Sequence, residues 1–289
     1  MVTSEGAVPP VPGLPEPAGH GRAGRDIRAA VLVGLVLAAL VVGTLLLYKP
    51  AFVALVVVAI CLAVLELSTA LGQRAVRVPL VPVLLGAVAM LVGGFAAGPS
   101  ALTVALALTV LAVVVWRLGE GQEGYVRDTT AGVFTALYVP FLAGFAMLLL
   151  RPDDGAARVA TFLLVAVASD VGGYAVGVLA GRHPLAPSIS PKKSWEGFGG
   201  SVLACVLVGA GSVVLLLGGH WWAGVLLGLV TAVSATLGDL GESMIKRDLG
   251  IKDMGSLLPG HGGLMDRLDS LLPTAPLTWL VLAALVPVT

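Results

Sequence analysis

The chain predicts an all-α, polytopic membrane protein with about nine transmembrane helices, and three observations carry that expectation. First, 57% of its 289 residues are apolar, only 12% are charged, and mean hydropathy is +1.00. A soluble domain averages about 25% charged residues. Second, the apolar residues gather into runs of about 20, long enough to cross a ~30 Å hydrocarbon layer as a helix. Third, the basic residues fall almost entirely in alternate connections between those runs.

Taken in order, the first 20 residues hold five prolines and three glycines without apolar periodicity. They read as a disordered tail rather than a signal peptide, because no short apolar core with a cleavage site follows. This sets residues 1–27 apart from a membrane-embedded helical domain over 28–289. Arg22, Arg25 and Arg28 lead into the first run, 29–48. Further runs cover 51–71, 79–97, 100–116, 129–150, 158–180, 199–217, 221–242 and 271–288. The tight connections Lys49-Pro50 and Gly98-Pro99 could instead mark broken or re-entrant segments. A barrel-strand reading fails, since the runs do not alternate and are twice a strand's length. In lipid, only a helix satisfies such a segment's backbone by itself. Cys61 and Cys205 each stand alone in an apolar run and read as small buried hydrophobes.

Charge then predicts orientation. The tail and the connections after runs 2, 4, 6 and 8 hold 14 of the 17 basic residues, whereas the other side holds only Lys49, Arg151 and Arg158. This asymmetry supports the count of nine and places the N-terminus in the cytoplasm, with the C-terminus outside. Two connections on the basic side stand out, 181–198 and 243–270.

The second of these is the densest concentration of charge in the chain. Ser243 to Asp269 holds Lys246, Arg247, Lys252, Arg267, several acids and His261. Charge beside membrane spans is costly and marks function by default. Asp239, Glu242, Ser243, Lys246 and Arg247 share one helical face, so the eighth run is expected to continue as a helix into the cytoplasm. A purely structural alternative pairs Asp239 with a base one or two turns on. Pro259, Gly260, Gly262 and Gly263 bracket His261 and break the helix, which lets backbone N–H groups approach a ligand. Asp266 and Asp269 open the last helix, where acids also suit the macrodipole. Asp239, Asp266 and Asp269 can converge where two spans enter one hairpin, as carboxylates do around a hard divalent cation.

The first connection follows Asp170, an acid within the sixth run, with Gly172, Gly173 and Gly177 forming a groove for a neighbour or a substrate. It continues through Ser190, Lys192, Lys193, Ser194 and Trp195, where two lysines sit beside hydroxyls. Lys192-Lys193 alone could be a positive-inside anchor. Glu66, isolated in the second run, suits helix pairing as well as catalysis.

These residues resemble a known family. Ser243, Lys246, Arg247, Lys252, Asp253, Gly255, Pro259, His261, Gly262, Gly263, Asp266, Arg267 and Asp269 fit the signature of phosphatidate cytidylyltransferases without an insertion. Asp170, Tyr174, Gly177 and the stretch from Ser190 to Gly197 are similar to two further family elements, with Ser194 where many members carry threonine. The resemblance covers about a fifth of the chain and excludes the proline-rich tail. It implies a helical membrane enzyme, a homodimer, with a polar cavity open to cytoplasm and lipid. The implied reaction joins CTP and phosphatidate into CDP-diacylglycerol and pyrophosphate with magnesium. Low lysine with abundant alanine, valine, glycine and arginine points separately to a GC-rich bacterial source, and so to a bacterial inner membrane. Family acids matching Asp239 and Asp266 belong to the metal site, with a potassium ion beside the magnesium.

Chemistry and resemblance together nominate Asp239, Lys246, Arg247, Lys252, Asp253, His261, Asp266, Arg267 and Asp269 as catalytic. Asp170, Ser190, Lys192, Lys193, Ser194, Ser243, Gly262 and Gly263 are nominated for substrate binding, and Asp239, Asp266 and Asp269 for metal. Membrane lipid is an expected partner and nucleic acid is not. Two rivals remain. A polyprenol kinase shares the nucleotide chemistry but not the run from Pro259 to Asp269. An ion-coupled transporter would hold its acids near mid-bilayer in paired broken helices, which this chain does not repeat.

Overall fold

Apolar runs of this length must satisfy their backbone internally, and they do so as helices. The computed structural model describes residues 27–255 and 262–288. Eleven α-helices are described there: α1 (Ile27–Leu47), α2 (Lys49–Gly72), α3 (Leu80–Ala97), α4 (Pro99–Gly119), α5 (Tyr125–Ala136), α6 (Leu142–Leu150), α7 (Gly155–Ala180), α8 (Trp195–Leu217), α9 (Trp221–Leu249), α10 (Met265–Leu268) and α11 (Leu271–Leu285). A π-helical turn, Leu137–Phe141, joins α5 to α6, so Tyr125–Leu150 is one span. Among the described residues eight spans are long and apolar enough to cross a membrane, and the apolar helix Gly34–Leu47 lies in the run read as the first crossing. The tail lies outside the described residues.

The doubtful connections resolve as helix starts. Pro50 and Pro99 each occupy a first-turn position, where proline's missing N–H is harmless. The eighth run does continue, as α9 through Leu249, before Gly250 ends it with φ of 73°. One element departs from the all-helical expectation. Strands β1 (Pro184–Ala186) and β2 (Ser190–Ser194) pair antiparallel within the 181–198 connection. The hairpin is short and proline-rich, so it gives no alternating pattern to read in the sequence. Its base is fastened to α8: Ser194 Oγ accepts the Gly197 N–H at 3.1 Å as helix cap, and the Trp195 N–H donates to the His183 carbonyl at 3.0 Å.

Small residues let α7, α8 and α9 approach closely, as they do between helices in lipid. An added Cβ at Gly172 would stand 2.6 Å from the Gly200 carbonyl oxygen, and one at Gly224 2.3 Å from that of Gly209. Ser201 Oγ donates across the same contact to the Ser169 carbonyl at 2.8 Å. The groove expected at Gly172 and Gly173 is therefore filled by α8, not left open for substrate.

Cross-contacts sort the connections by end. At one end Lys49 reaches the Pro152 carbonyl, and Arg158, buried beside Asp154 at 2.8 Å, donates to the carbonyls of Leu282, Val286 and Pro287. At the other, Arg74 Nε donates to Leu249 at 3.2 Å, and the Arg77 N–H donates to Asp128 at 3.0 Å. The ends match the predicted alternation, and the charged hairpins share the second.

Candidate active site

Three elements build the site: the polar stripe of α9, the start of the α10–α11 segment, and β2. Gly238 makes their meeting possible. A Cβ there would stand 2.3 Å from the Asp269 carbonyl oxygen and 2.4 Å from Pro273, so only a glycine lets the chain at Asp269 press against α9. Ser234 and Thr274 share a hydrogen bond at 3.1 Å one turn away. The consequence is that Asp239 and Glu242 face a common space with Asp269, each within electrostatic reach of it.

Each acid is held differently. Asp239 pairs with Lys193 of β2, so its partner comes from the other charged connection and not from a base further along its own helix. Lys246 lies between two acids, 2.8 Å from Asp266 Oδ1 and 3.4 Å from Glu242 Oε1. Asp266 is fully employed: Oδ2 accepts the N–H groups of Met254 at 3.0 Å and Gly263 at 2.9 Å. It thereby ties Met254 and Gly263 to Lys246 of α9. Asp269 Oδ1 accepts the Ser270 N–H at 2.6 Å. Glu242 is fully buried, and neither of its oxygens accepts a hydrogen bond among the described residues. Asp170 looks toward the same group, within reach of Asp239, Asp269, Lys193 and Arg267.

A basic cleft adjoins the acids. Gly177, Gly181, Arg182, Pro184, Pro191, Lys192, Lys193 and Ser194 line a space of about 120 Å³ between β2 and the end of α7. No acid lines it, and its size and charge suit a phosphoryl group. Lys193 belongs to both regions. Ser190 sits at the start of β2, with Ser243 half-buried on α9. Arg247, Lys252, Asp253 and Arg267 lie at the surface around the loop. Gly262 adopts φ of 81°, and its missing Cβ would face Asp266 Oδ2 at 3.5 Å and Asp253 Oδ1 at 3.8 Å. His261, Pro259 and Gly260 lie outside the described residues.

Sequence reasoning undervalued two groups. Glu242 was visible on the charged stripe, but its complete burial is a tertiary fact. Tyr138 carries a buried hydroxyl with no hydrogen-bond partner among the described residues, within electrostatic reach of Glu242, Asp269 and Asp239. Its one sequence signal is Pro140, which makes the π turn that presents it; such turns recur at functional sites.

The acids were tested for their fit to a divalent cation. No three His, Cys, Asp or Glu side chains among the described residues form a closed cage. Magnesium seldom uses one; it takes one or two carboxylates and completes its shell with substrate phosphate and water. A buried carboxylate without hydrogen-bond partners beside a second acid meets that requirement, and the donors are hard oxygens. The residues therefore fit the ion.

A bundle of membrane-crossing helices that gathers buried acids and a basic cleft at one end defines a membrane enzyme for phosphate chemistry. The chain belongs to the cytidylyltransferase family, whose model matches residues 28–285. It is 42% identical over 277 residues to a phosphatidate cytidylyltransferase of Mycobacterium bovis, covering 91% of this chain and 90% of that one. It is 44% identical over 286 residues to that of Mycobacterium leprae, again covering 91% and 90%. A shorter match, 47% over 122 residues, joins it to the same enzyme of Synechocystis, covering 42% of this chain and 41% of that one.

Proposed function

We propose that this protein transfers the cytidylyl group of CTP to phosphatidate, giving CDP-diacylglycerol and pyrophosphate in phospholipid biosynthesis. The observation that carries the reading is the junction, through Lys193 and Asp239, of a cleft for anions with a pocket for a cation. Membership of a cytidylyltransferase family and relatives named for this reaction favour it over a polyprenol kinase or an ion-coupled transporter.

A phosphatidate oxygen attacks the α-phosphorus of CTP in line. The bond from that phosphorus to the oxygen bridging to the β-phosphate breaks, and pyrophosphate departs. The nucleophile is already anionic at neutral pH, so no side chain needs to take its proton. The protein's task is to hold two anions together: like charges at ~4 Å and an effective dielectric of ~20 repel by about 4 kcal/mol. Arg182, Lys192 and Lys193 hold one phosphate, with the Ser194 hydroxyl proton free to donate beside them. Lys246, Arg247, Lys252 and Arg267 neutralise the others from the hairpin side. Asp253, Ser190, Ser243, Asp170 and the backbone of Gly262 and Gly263 orient the substrates, and His261 serves as a hydrogen-bonding residue of the loop.

Magnesium, with potassium beside it, belongs to this proposal. Asp239, Asp269 and Glu242 would hold it, Asp239 by giving up Lys193, and Asp266 would join only by releasing Lys246 or its two amides. When bound, it polarises the α-phosphorus and offsets charge on the departing pyrophosphate. The protein is a membrane protein; we further propose a bacterial inner membrane, cytoplasmic N-terminus and site, an outer C-terminus, and a homodimer. The 14-to-3 charge split supports the orientation, and the resemblance supports the dimer.

The test uses purified protein with phosphatidate, magnesium and CTP labelled in the cytosine. Label should move into solvent-extractable lipid, stop moving on chelation, and resume when magnesium is restored. Label that stays in the water phase despite phosphatidate and magnesium overturns the assignment.

A further inference from the structure

Glu66 lies in the last two turns of α2, an element that supplies none of the groups above, and it is only 6% exposed. Its Oε2 accepts the N–H of Met265, the first residue of α10, at 2.8 Å across 199 positions of sequence. Its carboxylate is also wedged between two glycines of the charged hairpin. A Cβ at Gly255 would stand 2.3 Å from Oε1, and one at Gly263 2.8 Å from Oε2. Those glycines flank the segment that carries His261, and they touch: the same Cβ on Gly263 would stand 2.7 Å from the Gly255 nitrogen. In the turn just past the end of α2, Arg74 Nε donates to the Leu249 carbonyl, where α9 ends. Helix α2 and the turn that follows it thus grip the hairpin where it leaves α9 and where it enters α10.

We infer that Glu66 is a positioning residue for the reaction, the wedge that fixes Gly255, Gly263 and the start of α10 against one another and so the placement of Asp266 and the bases beside it. It touches no reacting atom. Asp266 holds Met254 and Gly263 through their N–H groups, and Glu66 holds Met265 and abuts Gly255 and Gly263. The Gly-rich composition of the hairpin has a specific cause here: side chains at 255 or 263 would collide with the carboxylate.

The kinetic arm rests on the reaction proposed above, and a second arm does not. Glu66→Gln keeps an oxygen to accept the Met265 N–H and should stay within about threefold of wild type, whereas Glu66→Ala should lower kcat at least tenfold with KM for both substrates changed less than threefold. Gly255→Ala, which leaves Glu66 in place and crowds it, should lose kcat similarly, and the double variant Gly255→Ala, Glu66→Ala should be no worse than the poorer single one. Hydrogen exchange on the intact protein reads the wedge without any turnover: Glu66→Ala should strip protection from the Met265 amide and leave the α7 and α8 amides unchanged. A fully active Glu66→Ala, a loss confined to KM, a Gln variant as poor as Ala, or unchanged exchange at Met265 each overturns the inference. Should wild type lack cytidylyl transfer while Met265 still loses protection, the reaction fails and the wedge stands. If Glu66→Ala does not fold, the Gln and Gly255 variants decide by the same criteria.

Discussion

Glu242 and Asp269 are the residues on which the chemistry turns, because two carboxyl groups set side by side, one of them fully buried, must share a proton or take up a cation. Lys246 serves one side of that pair and is shared with Asp266. Asp269→Asn and Glu242→Gln should each lower kcat by about 100-fold or more while leaving helix content unchanged, as measured by turnover and circular dichroism. Unaltered turnover in both would remove these two carboxylates from the cation's proposed ligands. The signature was readable at this scale, since spacing alone put Lys246, Arg247 and the following acids in one hairpin. The partners were not. Nothing in the order of residues joins Lys193 to Asp239 or Glu66 to Met265, because those contacts arise from helices placed side by side long after the local pattern ends.

At the scale of elements, the apolar runs predicted every helix that crosses, and their true ends differ by a few residues where caps intervene. The 199–217 run begins at Trp195 because Ser194 caps it; the 129–150 run begins at Tyr125, beside the buried Asp128. The β1–β2 hairpin was illegible for a different reason: its order comes from Glu196, which accepts the N–H groups of Arg182 at 3.1 Å and His183 at 3.2 Å from beyond the strands. The α7–α8 contact is the element most sensitive to size. Gly172→Ala puts a methyl group against backbone, which cannot yield as a side chain can, and should destabilise the protein by about 1–3 kcal/mol. Thermal unfolding in detergent measures it; Gly199→Ala, in the same helix with open space around its Cβ, is the control that should show no loss and a small gain from helix propensity.

For the whole molecule, two ends with different chemistry set the orientation test. With Cys61 and Cys205 replaced by Ala, Asp153→Cys should react with an impermeant maleimide on intact cells, and Glu123→Cys only after the membrane is opened. The reverse pattern would invert the protein. The length of α9 has its own consequence. Its 29 residues at 1.5 Å each span about 44 Å, well beyond a ~30 Å layer of oil. By length alone the final turns, from Glu242 onward, reach past such a layer to the depth of lipid headgroups. A lipid can then be modified where it floats: its head swings into place while its tails stay dissolved, and neither arrival nor departure requires extraction from the leaflet.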